Sequence, residues 1–254
     1  MLTILITAIS VLAAIQTSQG QGVPLKRFEV IRIDSAGFNR LPPSMRAFFA
    51  GPIPDRARPV ASIEQAGSQL AFVPRLPMRK MPPELLITDP VRGQATIAVA
   101  DLIEALQQSK IEDMSVPQDW NGVTVGLQQG AGLIADYGEF FIAQAAPMTL
   151  DVPAGFALDQ LFEVLFRIAG INAADARNVR RKFAADPAVY FPIPPRYDMD
   201  IREVQLASGS GLLLQNADKG GELVFMWSTT DRSYFLSGLM TEDEVIALAN
   251  SLVR

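Results

Sequence analysis

The chain has no histidine and no cysteine in its 254 residues, and these two absences remove most familiar site chemistry. Without histidine there is no Ser-His-Asp triad and no imidazole general base. With neither residue, zinc, iron–sulfur and haem centres lose their usual ligands, so no cofactor and no metal is expected. No disulfide can support the fold, and a lipid-modified cysteine near the N-terminus is excluded. Positive charge is missing ahead of the apolar run Leu2 to Ile15, where a signal peptide normally carries it. That run has the length of a signal-peptide core and falls short of the ~20 residues of a membrane span. Ser18 and Gly20 suit a cut between Gly20 and Gln21. The run therefore reads either as an atypical signal peptide or as part of an anchor. Both readings place the rest outside the cytoplasm, secreted or membrane-tethered by residues 2–15.

What is present is globular material, with 49% apolar and 19% charged residues. The formal net charge is −5, which argues against nucleic acid as a partner. The charge is uneven: Lys26, Arg27, Arg32, Arg40, Arg46, Arg56 and Arg58 meet only Glu29, Asp34 and Asp55. Next to a membrane this stretch would touch anionic headgroups, although scattered arginines more often belong to a solvated linker.

Three segments follow. Residues 1–20 are the signal peptide or short anchor. Residues 21–60 carry Pro24, Pro42, Pro43, Pro52, Pro54 and Pro59 and read as a basic linker or packed arm, interrupted by one strand, Phe28 to Ile33. Residues 61–254 form a single domain. It opens with a capping box, Ser62 to Gln65, and a short helix to about Leu70. Strands at Leu85–Thr88 and Ala95–Val99 flank a turn at Asp89-Pro90, and a helix runs from Leu102 to Gln108. Asn121-Gly122 after Trp120 is a turn without an evident partner, followed by strands Val123–Leu127 and Glu139–Ala143.

Residues 158–185 read as a helical pair. Leu161, Leu165 and Ile168 fall at helical spacing, Gly170 ends the first helix and Asn172 caps the second. Arg177, Arg180, Arg181 and Lys182 form a basic face, read as solvated in preference to phosphate-binding. Four strands then form a meander around turns at 208–211, 217–221 and 229–232, and a second capping box, Thr241 to Glu244, starts a closing helix. The fold class is α+β: a mostly antiparallel sheet with helices packed on one face, ending in a β-meander and a closing helix.

Several motifs occur in a telling order. Glu222-Leu-Val-Phe-Met-Trp227 precedes Tyr234-Phe-Leu-Ser-Gly238, and a helix closes on Ala249, Ser251 and Leu252. Upstream stand Ser62 to Phe72 with Pro74 and Leu76-Pro77, then Gly170 to Ala176, then Phe191-Pro-Ile-Pro194. This series resembles the bacterial domain of unknown function found as the extracytoplasmic C-terminal part of anti-sigma-factor-like membrane proteins, over roughly Ser62 to Val253. The resemblance implies a regulatory domain at the envelope. Sigma-factor binding is not carried over, because the chain has none of the zinc-ligating His and Cys of such a cytoplasmic domain.

Trp227, Tyr234 and Trp120 are the candidate ligand or partner contacts, although core packing is the favoured account of Trp227 and Tyr234. Gly238 is read as permitting the turn into the last helix. Asp198 and Asp200 form the best-spaced carboxylate pair, too small a set for calcium. Ser208-Gly-Ser-Gly211 lacks the lysine and helix of a phosphate loop. None of the five lysines, Lys26, Lys80, Lys110, Lys182 and Lys219, follows a Ser-x-x pattern. A glycosidase-type carboxylate pair would depend on spacing invisible in sequence. A non-enzymatic domain is expected, a regulatory or sensor type engaging an envelope protein. The alternative is a module for an apolar small molecule such as a lipid, with Phe140, Phe141, Phe156, Phe162 and Phe166 lining its pocket.

Overall fold

Apolar residues on both faces of Glu222–Ser228 require cover from two sides, and that need organises the molecule. The computed structural model describes residues 21–25, 27–50, 56–77, 84–194, 199–216 and 222–252. The strands are β1 (Gln21–Pro24), β2 (Arg27–Arg32), β3 (Ala57–Pro59), β4 (Glu84–Thr88), β5 (Val91–Thr96), β6 (Thr124–Gln129) and β7 (Gly132–Asp136). They continue as β8 (Phe140–Ala145), β9 (Thr149–Val152), β10 (Ala188–Ile193), β11 (Met199–Leu206), β12 (Gly209–Asn216), β13 (Glu222–Ser228) and β14 (Ser233–Leu239). The helices are α1 (Ser35–Arg40), α2 (Pro43–Ala50), α3 (Ile63–Gly67), α4 (Val99–Gln108), α5 (Leu158–Ile168), α6 (Ala173–Ala185) and α7 (Glu242–Ser251).

An eight-stranded antiparallel sheet runs β11-β12-β13-β14-β8-β7-β4-β3. Strand period two sends Leu223, Phe225 and Trp227 of β13 into one core, against Val245, Leu248, Ala249 and Leu252 at the end of the chain. Both halves of the Thr241–Glu244 capping box are made at the start of α7. Val224 and Met226 of β13 point the other way. A four-stranded antiparallel sheet, β1-β9-β6-β5, shares a separate core with α4, α5 and α6. The chain is thus α+β with mostly antiparallel sheets and a terminal meander closed by a helix.

A parallel ribbon of β2 and β10 joins the two halves. Ile31, Ile33 and Tyr190 belong to the core of the four-stranded sheet. Phe28, Val30, Phe191 and Ile193 instead cover Leu214, Val224 and Met226 on the eight-stranded one. The middle of the chain also changes sheet between β4 and β5, between β6 and β7, and between β8 and β9.

This arrangement corrects several expectations. The stretch read as a basic linker or packed arm with one strand is the packed arm, with more structure than that: it carries β1, β2, α1, α2 and β3, and buries Leu25, Ile31, Ile33, Leu41 and Met45. Its prolines mark element ends: Pro43 opens α2, where no amide donor is needed, and Pro24 and Pro59 lie on sheet edges. Its arginines serve the fold. Arg27 pairs with Asp186 at 3.0 Å, and Arg58 with Asp89 at 3.0 Å. Asp89-Pro90 passes the chain between sheets and does not close a hairpin. The Ser62 helix ends at Gly67 because Ser68 already caps it. Asn121-Gly122 is tied to residues 97–99: Gly122 donates to the Ile97 carbonyl and Asn121 Oδ1 accepts from the Val99 amide at 3.2 Å. Gly238 lies within β14, where a Cβ would fall 2.4 Å from Phe140 Cα, so it serves close strand approach and not the turn.

The signal or anchor segment, residues 1–20 with its run 2–15, lies outside the described residues, as do Lys26, Lys80, Tyr197, Asp198, Lys219 and the turn 217–221. Among the described residues no helix is long and apolar enough to cross a membrane.

Candidate functional site

The rings singled out from sequence lie inside the molecule. Trp227 and Tyr234 are 0% and 1% exposed and Trp120 is 4% exposed, so none presents a surface to a partner. Trp227 and Tyr234 face each other across β13 and β14, and Trp120 packs on Phe156 with centroids 5.4 Å apart. The physical reason is ring area, since each is too large to leave in water beside an available core.

The five phenylalanines do not share one pocket. Phe162 packs on Phe183 at 4.6 Å and Phe166 on Tyr190 at 5.4 Å in the core of the four-stranded sheet. Phe140 stacks on Tyr137 and Phe141 on Phe235 along the eight-stranded sheet. The cavity beside Phe166, bounded also by Ile31, Phe38, Leu165 and Tyr190, measures about 10 Å³. That is at most room for one water. Burial, with the Glu29 charge nearby, pushes the Tyr190 phenol up to about 12.

A concavity of ligand size lies where α1 and the end of α4 meet the α5–α6 turn. Asp34 caps α1 by accepting from the Gly37 amide. Gly37 lets α1 settle on the turn, since a Cβ there would lie 2.1 Å from the Ala169 oxygen. This seat lets Arg40 Nε donate to the Ile168 carbonyl at 3.0 Å. Gly170, at φ +97°, leaves room for Arg40 Nη2, which a Cβ would approach to 2.8 Å. Across the cleft, α4 ends with Ser109 and with Lys110 in the left-handed region at φ 56°. Ser109 Oγ donates to the same Ile168 carbonyl at 3.4 Å. Arg167, near the end of α5, holds the Asp113 carboxylate through two bonds of 3.0 and 2.7 Å. That pairing keeps the Asp113 carboxyl below its ordinary range.

The cleft holds about 390 Å³ and is lined by Arg40, Gln108, Ser109, Lys110, Arg167 and Asn172, among others. No carboxylate among the described residues lines it. Its walls carry guanidinium, ammonium, amide and hydroxyl groups, of which Arg40 Nε and Ser109 Oγ are engaged by the Ile168 carbonyl and Arg167 by Asp113. No family model, no curated protein and no solved structure matches this chain. The cleft is therefore read on its own geometry.

Two further polar clusters are built into the fold. Arg180 of the basic face donates to Asp159 at 2.7 Å and to buried Glu163 at 3.0 Å and so clamps α6 to α5, while Arg177, Arg181 and Lys182 are exposed, the solvated face expected. Buried Arg232 donates to the Val73 carbonyl at 2.7 Å and to Asp231, while Phe72 lies under its guanidinium. Buried Gln144 pairs with both backbone groups of Arg75, and Arg75 Nη1 reaches the Leu252 carbonyl at 3.0 Å. Together these bonds strap residues 72–77 onto the sheet. Asp200 pairs with Arg202 at 3.1 Å. Among the described residues no group of three carboxylates gathers for a metal.

Sequence reasoning named Lys110 only as a nucleophile candidate and Arg40 only as part of a basic stretch, and it left Arg167 unmentioned. The three are far apart in sequence; Gly170, read as the end of a helix, was the one visible sign of the turn they share.

Proposed function

We propose that this protein is a non-enzymatic recognition module of the sensor or regulatory type, and that the cleft beside the α5–α6 turn takes a small polar ligand. The observation that carries the reading is the cleft itself: about 390 Å³ of concave, donor-lined space. Ligand sites generally occupy ~300–1,000 Å³ and place a few convergent polar groups. The likeness to extracytoplasmic regulatory domains and the apolar run at Leu2–Ile15 favour an envelope setting, where a ligand-dependent contact with another protein would follow. A carrier of an apolar molecule is less well supported, because the space beside Phe166 would have to open well beyond about 10 Å³.

Amide spectra of the full chain titrated with a panel of small polar metabolites, neutral and charged, test the reading. Binding should shift residues 108–113 and 167–173 together and raise the unfolding temperature with ligand concentration. Saturable binding that moves residues elsewhere while leaving these unshifted, or no binding by any class, overturns it.

A further inference from the structure

We infer that the ligand of this cleft carries a compact oxyanion, a phosphate group above all, and that it competes with the Asp113 carboxylate for Arg167. The inference rests on the reading of the cleft as a ligand site and adds its chemistry and its built-in competitor.

The charge of the walls comes first. Arg40, Lys110 and Arg167 line one cleft without an acidic residue in its wall, on a chain whose net charge is −5. With Arg167 paired to Asp113, Arg40 and Lys110 supply the positive potential of the cleft, which rises when Asp113 is displaced and disfavours cationic ligands. A neutral ligand would leave that potential unused.

Arg167 supplies the geometry. Its side chain is 12% exposed, so the guanidinium is held in place, and it grips Asp113 in the two-point mode that suits carboxylates and phosphates alike. Asp113 shows the position and shape of an oxyanion at this fork. It is an easily displaced occupant: its side chain is 58% exposed and it lies on the irregular stretch between α4 and the turn at Gln118. Ion pairs with so exposed a partner contribute little to stability, so an incoming anion loses little by replacing it.

The other two cations are positioned for the same guest. Arg40 is fixed through Nε on the Ile168 carbonyl, with Nη2 lodged beside Gly170. Lys110 takes the left-handed position that ends α4, where the Ile111 amide donates to the Leu106 carbonyl, and it lines the same cleft. The nearby N-terminus of α6 is not counted. Asn172 already accepts from the Asp175 amide there, and Asp175 sets a negative charge in the first turn. The basic face of α6 is a poorer candidate, since Arg180 is engaged by Asp159 and Glu163.

The test is calorimetric titration of the full chain with inorganic phosphate at fixed ionic strength, with glucose as a neutral control. Two variants accompany it, Lys110→Asn and Asp113→Asn, both checked for native near-ultraviolet spectra. Asparagine tolerates the left-handed backbone at 110, so the first variant removes charge without adding strain. Phosphate should bind and glucose should not. Lys110→Asn should weaken phosphate about tenfold, the scale of one charge-assisted bond. Asp113→Asn should tighten it several-fold by freeing the Arg167 fork, a gain that a merely structural aspartate would not give.

Glucose binding in the cleft without phosphate binding overturns the anion inference and leaves the recognition reading standing. If neither binds and the wider panel also fails, both fall. Phosphate affinity unchanged in both variants places the anion elsewhere and overturns the assignment. Vesicles of phosphatidylcholine with phosphatidate separate two sources of the same chemistry. Sedimentation with such vesicles, lost in Lys110→Asn, marks a lipid headgroup as the source, and binding of free phosphate alone marks a soluble phosphate ester.

Discussion

The indole of Trp227 lies flat on the phenol ring of Tyr234, with centroids 4.6 Å apart and planes 5° from parallel. The two residues are direct partners across β13 and β14, and Phe225 stacks on the other side of the indole at 5.2 Å. This column fills the core beneath α7. Trp227→Ala should therefore cost about 3–5 kcal/mol, the range for deleting a large buried ring. The indole N–H has no hydrogen-bond partner in the structure, so Trp227→Phe loses volume alone and should cost roughly half as much. Urea unfolding of the two variants measures both. A loss below about 1 kcal/mol for Trp227→Ala would mean that the ring is not in a packed core.

Arg232 and Asp231 give the molecule an acid-sensitive joint. Hydrogen bonds from Arg232 first, and from Thr229, pull the Asp231 carboxyl down to about 2. The folded state thus favours the ionised form more than the unfolded chain does. The stabilisation is complete above the ordinary aspartate range near pH 4 and is lost as pH falls toward 2. Asp231 is half exposed, so solvent screening reduces the contribution to about 1 kcal/mol. Asp231→Asn should flatten the dependence of the urea midpoint on pH between 4 and 2. Replacing buried Arg232 by Met should cost more, about 2–3 kcal/mol, because the Val73 carbonyl then loses its donor as well.

How much of this was legible in the sequence depended on whether the signal was local. The meander, the α5–α6 pair and the closing helix are marked by strand alternation, Gly170, Asn172 and the Thr241–Glu244 box, and these lie where they were read. Strands β7 and β9 escaped notice because Gly132–Asp136 and Thr149–Val152 are short and owe their order to neighbours remote in sequence. The prolines of residues 21–60 suggested a linker for a sound reason, the loss of amide donors. Here Pro24, Pro43 and Pro59 occupy sheet edges and a helix start, where no donor is needed. The cleft was illegible because Arg40, Lys110 and Arg167 come from three separate elements and converge only through the seat of Gly37 on Ala169.

That seat is itself testable. A methyl group at residue 37 would sit 2.1 Å from the Ala169 carbonyl oxygen, a distance no side-chain relaxation can relieve because the neighbour is backbone. Gly37→Ala should push α1 off the α5–α6 turn and cost about 1–3 kcal/mol, as overpacking does. Arg40 would lose its bond to Ile168 with the displacement. Hydrogen exchange should accordingly rise at residues 34–41 while α7 keeps its protection. Unchanged exchange at those residues would show that α1 does not depend on this contact.

The arm makes the largest prediction. A chain beginning at residue 61 keeps the region that resembles a known domain but removes β1, β2, α1, α2 and β3. It loses Leu25, Ile31, Ile33, Leu41 and Met45 from the core and strips Phe28 and Val30 from the cover over Leu214, Val224 and Met226 on the back of the meander. At ~2 kcal/mol per buried aliphatic side chain, the five core residues alone contribute roughly 10 kcal/mol. Typical domains have a net stability of about 5–15 kcal/mol, so the truncated chain should not fold cooperatively. A chain beginning at residue 21 should give a sharp urea transition and a strong near-ultraviolet signal. The chain from residue 61 should show neither and should bind a hydrophobic dye. If the shorter chain instead unfolds in one sharp transition, the arm of residues 21–60 is an appendage. The cleft that depends on Arg40 would then be assembled on a core that exists without it.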